Sequence, residues 1–262
     1  MIIAIDGPAG SGKSTIAKKL ANELDFVYLD TGAMYRLVTL KALDEKVSFE
    51  LLKNIINLSE SKNNNSDFEI IQKMKKILEN LNIDIKKNRF FLDGIDVSDE
   101  IRKPVISENV SNIAKIKEVR EKLVDLQRKF SNSKNVILDG RDIGTVVFPN
   151  AELKIFLVAD AMERAKRRHK ELILKNEDVT LDEIYKNIVE RDKIDSTRKE
   201  SPLVKAQDAI EVDTTFKTIE EVKDKIIRKN NLLMEYNSEV YLKNLKENIE
   251  KDYLLFHFLE EN

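Results

Sequence analysis

Eight residues near the start of the chain, Gly7-Pro8-Ala9-Gly10-Ser11-Gly12-Lys13-Ser14, carry its densest chemistry. They fit the pattern of a glycine, four residues, then Gly-Lys-Ser/Thr. The glycines let the backbone curl until several N–H groups point at one centre, a geometry that suits phosphate oxygens. An apolar run, Met1–Ile5, precedes the loop, and a helix is expected from Thr15 to Leu24 with Ile16, Ala17, Leu20 and Leu24 on one face. The positive end of that helix faces the same centre. Lys13 then reaches the β- and γ-phosphates of a nucleoside triphosphate, and the Ser14 hydroxyl ligates Mg²⁺. Gly7, Pro8, Ala9, Gly10, Ser11, Gly12 and Thr15 complete the nucleotide-binding set.

A phosphate loop names a nucleotide and not a reaction. Two later stretches supply a second anion site. Asp30-Thr31-Gly32-Ala33-Met34-Tyr35-Arg36 closes a short apolar run, Phe26–Asp30, and opens a helix expected over Thr31–Leu43, where Thr31 caps the helix or bonds an anion. Asp139-Gly140-Arg141-Asp142 closes another run, Asn135–Gly140. Carboxyl ends of parallel strands are where α/β sheets bind ligands. Arg36 and Arg141 can therefore converge on one phosphate. A basic cluster follows in Ala161–Lys170, where Arg164 and Arg168 share a helix face and Arg167 lies beside them; its bland alternative is a solvated basic face. Two rival functions remain at this stage: another small-molecule kinase with a different acceptor in the pocket, and a nucleotide switch without an acceptor. A switch needs no second anion site.

These residues need a scaffold. Apolar runs at 1–5, 26–30, 135–140, 153–159 and 209–214 read as buried strands, with amphipathic helices between them. That alternation predicts a five-stranded parallel sheet flanked by helices. Asp93-Gly94 breaks a strand-like stretch and signals a hairpin, so a small β-containing insert is expected. Ser59–Asp67 reads as a polar loop, a helical stretch follows it, and helical patterning returns over Val119–Phe130. Thr180 and Glu183 form a capping box for a helix running toward Arg191. Hydrophobic residues, at 42%, suffice for a core, and 45 basic against 47 acidic residues leave a net charge of −2, which argues against a nucleic-acid coat. There is no cysteine for disulfides or thiolate metal sites, and no apolar stretch long enough for a membrane span. A signal peptide is not expected, because Gly7 and Pro8 interrupt the apolar start. These features predict a cytoplasmic protein. His169 and His257, the only histidines, sit in no motif.

The phosphate loop, Asp30–Arg36, the run Asp139–Pro149 (DGRDIGTVVFP) and Glu190–Arg198 (ERDKIDSTR) together resemble bacterial cytidylate kinases, from residue 2 to about residue 228. The resemblance implies the P-loop nucleoside monophosphate kinase fold. Residues 1–58, 105–160 and 191–229 would form the core, 59–104 a monophosphate-binding insert, and 161–190 a helical lid. It implies transfer of the γ-phosphoryl of ATP to CMP or dCMP, with Mg²⁺. Asp142 and Ser111 would meet the cytosine amino group, Arg120 and Arg198 its acceptor edge, and Arg191 and Asp195 the ribose. Asp30, Thr31, Arg36 and Arg141 would hold the acceptor phosphate. Lys13, Arg141, Arg164 and Arg168 would neutralise the transferring group, and Asp139 would order a Mg²⁺-bound water. Cytosine presents an amino donor at N4 and acceptors at N3 and O2, so this residue set matches its edge, whereas uracil would set O4 against Asp142. Small-molecule substrates and a monomer are expected. Residues 230–262 read as a helical extension with Leu242, Leu245, Ile249, Tyr253 and Phe256 on one face, packed on the chain's own core or against a partner.

Overall fold

The computed structural model describes residues 1–50, 52, 65–86, 89–132, 134–174 and 177–228. The expected extension over 230–262, including His257, and most of the expected loop at 59–64 lie outside them. Five parallel strands form the main sheet: β1 (Ile2–Asp6), β2 (Val27–Asp30), β6 (Val136–Gly140), β7 (Leu153–Val158) and β8 (Ile210–Asp213), in the order β2-β6-β1-β7-β8. The expected parallel sheet is present. Its central strands are apolar on both sides because helices cover both faces.

Side chains alternate across the sheet, and this splits the core in two. Ile3 and Ile5 of β1, with Ile137 and Leu157, pack against Ile16, Leu20 and Leu24 of α1 (Lys13–Leu24) and Val222 and Ile226 of α8 (Ile219–Arg228). Ala4 and Leu138 face the other way. There they meet Met34 and Val38 of α2 (Thr31–Asp44), Met74 and Ile77 of α3 (Asn65–Glu79), and Leu123 of α5 (Lys117–Ser131). The polar loop expected through Asp67 thus ends early: α3 begins at Asn65, and its apolar face draws it into the core.

A second sheet is antiparallel: β3 (Ile83–Lys86), β4 (Arg89–Leu92) and β5 (Ile95–Asp96). Asp93 and Gly94 both take positive φ, 52° and 81°, at the expected hairpin. Phe90, Leu92, Val97 and Ile101 seat this sheet on Ala33 and Leu37 of α2. A short turn, Glu100–Arg102, then leads into α4 (Pro104–Ile113). The helices α6 (Ala161–Ile173) and α7 (Leu181–Thr197) form a pair joined by Ala165, Ile184 and Ile188. The capping box of Thr180 and Glu183 is present, and α7 continues past Arg191 to Thr197, so the expected lid–core boundary falls within one helix. Among the described residues no helix is long and apolar enough to cross a membrane.

Gly7 has φ 149°, and a Cβ there would lie 2.1 Å from the Leu157 carbonyl oxygen of β7. The loop leaves the sheet by this close backbone approach. Gly7→Ala is therefore expected to cost about 3 kcal/mol and to lower the melting temperature by roughly 6–12 °C, read by thermal unfolding.

Candidate active site

α1 begins at Lys13, two residues earlier than the apolar pattern indicates, because Gly12 closes the loop in a left-handed conformation (φ 89°) and its carbonyl accepts from Ile16 N–H at 3.0 Å. Lys13 is buried; its Nζ donates to the Pro8 carbonyl at 2.7 Å and to Ser11 Oγ at 3.4 Å. Burial first, and the Arg141 charge second, hold its ammonium well below the usual lysine range. Ser14 Oγ donates to Asp139 Oδ2 at 2.7 Å, and Tyr28 Oη donates to Oδ1 at 2.7 Å. The end of β6 is thereby tied to the first turn of α1. Burial, then the charge of Asp30, pushes the Asp139 carboxyl up.

Two arginines of α6 brace the loop. Arg164 Nε donates to Ala159 O and Nη1 to Ala9 O, both at 2.9 Å, and Nη1 pairs with Asp192 at 2.7 Å. A Cβ on Gly10 would lie 3.2 Å from the Cβ of Arg164. Arg164, expected to neutralise a transferring phosphoryl group, here spreads its guanidinium over Ala9 of the loop, Ala159 after β7 and Asp192 of α7. Arg167 donates to the carbonyl of Thr214 at 2.5 Å, and the Thr214 hydroxyl donates to Ser11 O at 3.0 Å. Arg168 faces differently. It is half-buried, pairs with Glu171 at 3.0 Å, and lies close enough to Arg36 and Arg191 to act on both charges.

Arg36 lies on α2 and donates to Ile101 O at 3.0 Å and Ser107 Oγ at 2.8 Å. Burial, then repulsion from Arg191 and Arg102, pushes its guanidinium down to about 9. Arg191 is likewise lowered, by burial and then by Arg141, and its buried Nε has no hydrogen-bond partner. Arg191 thus acts on the charge of Arg36 and is itself acted on by Arg141. Asp30 and Thr31 do other work. Asp30, rather than Thr31, caps α2 by accepting from Ala33 N–H at 2.9 Å, and it pairs with Arg102 at 2.7 Å. Thr31 spends its hydroxyl proton on the Asp139 carbonyl at 2.7 Å, which pins β2 to β6.

Beyond Arg141 the chain turns at Asp142. Its buried carboxylate pairs with Arg120 of α5, and Arg198 Nη2 lies 3.9 Å away. Ser111, on α4, is buried as well, and the Arg120 guanidinium lies over the Tyr35 ring at 5.3 Å. Asp195 accepts from Arg141 Nε at 2.9 Å and lies 3.7 Å from Arg198 Nη1. Arg120 Nε and Arg198 Nη2 are buried without hydrogen-bond partners. A buried donor left unpaired costs about 1–3 kcal/mol, so both groups are poised for an acceptor.

Residues 3–232 match the model of the cytidylate kinase family. The chain belongs to the cytidylate kinase family. It is 55% identical over 229 residues to the cytidylate kinase of Fusobacterium nucleatum subsp. nucleatum, covering 87% of this chain and 96% of that protein. It is 50% identical to the cytidylate kinase of Clostridioides difficile (88% and 99% covered). The cytidylate kinase of Caldanaerobacter subterraneus subsp. tengcongensis is also 50% identical (87% and 95% covered).

Mg²⁺ fits the loop. Ser14 Oγ and the Asp139 carboxylate adjoin each other, while the described residues hold no group of three or more His, Cys, Asp or Glu that would bind a metal alone. Water and a nucleotide's phosphates would complete its shell. Sequence motifs overlooked Asp6, Tyr28, Arg102, Asp192 and Thr214. Only Asp6 left a signal, as a charge ending an apolar strand directly before the glycine loop.

Asp6 accepts from the N–H groups of Ile143 (2.9 Å) and Gly144 (2.8 Å), yet burial dominates and raises its carboxyl from 3.8 to about 6. The folded chain thus keeps a proton that the unfolded chain releases. Its contribution to stability is full below pH 3.8 and is lost as pH rises through about 6. Asp6→Asn should shrink the fall in unfolding free energy between about pH 4.5 and about pH 7 by about 2 kcal/mol, measured by urea denaturation at both values.

Proposed function

We propose that the chain transfers the γ-phosphoryl group of ATP to the phosphate of CMP or dCMP, giving ADP and CDP or dCDP. The observation that carries this reading is the placement of Asp142. Its carboxylate stands between Arg120 and Arg198, one residue beyond Arg141, just past the end of the strand paired with the one that feeds the phosphate loop. An acceptor aimed at the cytosine amino group and donors aimed at N3 and O2 match that base's edge. Uracil offers O4 in place of the amino group and is rejected, because a site built to pair a polar group penalises a ligand that leaves it unpaired.

Lys13 and the loop amides hold the β- and γ-phosphates of ATP. Arg36 and Arg141, beside Asp30 and Thr31, hold the acceptor phosphate, and Arg191 and Asp195, the latter oriented by its bond from Arg141, take the ribose. Arg168 neutralises charge between the two phosphates, and Arg164 keeps the loop in shape. Ser14 and, through water, Asp139 would hold Mg²⁺, which would offset the charge of the nucleotide's phosphates. No strong general base is needed, since a phosphate monoester has a second pKa of about 6 and is mostly a dianion at neutral pH. What the residues supply is position and charge compensation.

The antiparallel sheet and its flanking turn act as the monophosphate-binding insert, since Arg36 is fastened to Ile101 and Ser107 on that side of α2. The pair of α6 and α7 acts as the lid, whose closure excludes water from the transferring group. A cytoplasmic monomer acting on small molecules goes with this reading.

ADP formation with ATP, Mg²⁺ and each nucleoside monophosphate in turn tests the proposal: CMP and dCMP should be used, and UMP at least about tenfold less well. Equal rates on CMP and UMP would overturn the cytosine assignment. Lys13→Ala should lower kcat by about 10³-fold, on the scale of a lost transition-state donor. Asp142→Ala should raise KM for CMP by at least about tenfold while leaving KM for ATP near its starting value, read by a coupled ADP assay.

A further inference from the structure

Asp6 is the last residue of β1 and the residue immediately before Gly7. Its side chain is buried, and each carboxylate oxygen accepts one backbone hydrogen bond: Oδ1 from Ile143 N–H at 2.9 Å, Oδ2 from Gly144 N–H at 2.8 Å. These amides follow Asp142 directly. Asp142 itself has an unusual backbone (φ −146°, ψ 24°), and the residues after it, Ile143–Val147, wind into a single wide turn closed by Val147 N–H to Asp142 O and Phe148 N–H to Ile143 O. Such wide turns are frequent at functional sites. The turn is also pressed against its neighbours: a Cβ on Gly144 would lie 3.1 Å from Lys154 Cδ and 3.5 Å from Asp6 Oδ2. Lys154 turns its ammonium away, to Pro149 O and Asp208.

We infer that Asp6 is a positioning residue for base selection: by gripping the two amides after Asp142, it fixes the carboxylate that reads the base against the start of the phosphate loop. The inference rests on the assignment of Asp142 to the cytosine amino group. Asp142 is pulled toward Arg120 and, more weakly, Arg198, so its main chain needs an independent anchor to keep the carboxylate in place. Positional errors of about half an ångström are enough to spoil such a contact. Both oxygens of Asp6 are required. An amide in its place offers one acceptor and turns an N–H toward a backbone N–H.

The test uses the full chain carrying Asp6→Asn and, separately, Asp6→Ser, which is smaller and leaves room for water. Steady-state constants for CMP, UMP and ATP are measured at a pH of about 7.5, beside melting curves. The expected result is a drop of about tenfold or more in the CMP-over-UMP ratio of kcat/KM, carried by KM for CMP, with KM for ATP within about threefold of the starting chain. A folded variant that keeps its CMP preference overturns the inference. So does a parallel loss of affinity for CMP and ATP, which would make Asp6 a general support of the loop, and so does failure of both variants to fold. If the unsubstituted chain does not prefer CMP, the role of Asp142 falls and this inference falls with it; a selective parent with equally selective variants removes this inference alone.

Discussion

Like charges held together out of water are the constraint on which this molecule is built. Arg191, Arg102 and Arg168 act on the charge of Arg36, and Arg141 and Arg168 on that of Arg191, so burial and repulsion weaken the hold of Arg36 and Arg191 on their protons. Lys13 feels Arg141 in the same way. Such an arrangement costs free energy in the folded chain, and an anion relieves it. Nearby carboxylates offset part of that cost: Asp30 pairs with Arg102, Asp195 with Arg141 and Glu171 with Arg168.

The parallel sheet makes that concentration possible. Every strand of the main sheet runs the same way, so the carboxyl ends of β1, β2 and β6 open on one edge, and the phosphate loop, the start of α2 and the Asp142 turn leave from neighbouring positions. The links across that edge are short and polar. Ser14 and Tyr28 meet at Asp139, Thr31 reaches the Asp139 carbonyl, and Asp6 reaches past β6 to Ile143 and Gly144. Each link ties one strand end to its neighbour, so a displacement of the loop is felt at the Asp142 turn.

Two arginines from the same helix show how position decides role. Arg164 and Arg168 are one turn apart. Arg164 points into the loop and is engaged by Ala9, Ala159 and Asp192, while Arg168 is half-exposed and adds its charge to those near Arg36 and Arg191. Helical spacing alone makes them equivalent; the packing of α6 on the loop does not.

The motifs proposed to meet phosphate and base were legible in the order of amino acids, because a loop that wraps a phosphate is made by contiguous backbone and its glycines must be written in sequence. The parallel sheet was legible too, from apolar runs that only two covered faces explain. The supports were not. Tyr28 and Asp139 are 111 residues apart, and Thr214 and Ser11 are 203 apart, so no local pattern marks them as partners. The sequence by itself determined the anion chemistry and the sheet; the tertiary structure alone decided that Asp30 caps α2 while Thr31 pins two strands, that Arg164 braces the loop, and that Asp6 holds the Asp142 turn. Motif chemistry is set by neighbours along the chain, whereas the partner of a buried polar group is set by which strands and helices come to lie side by side.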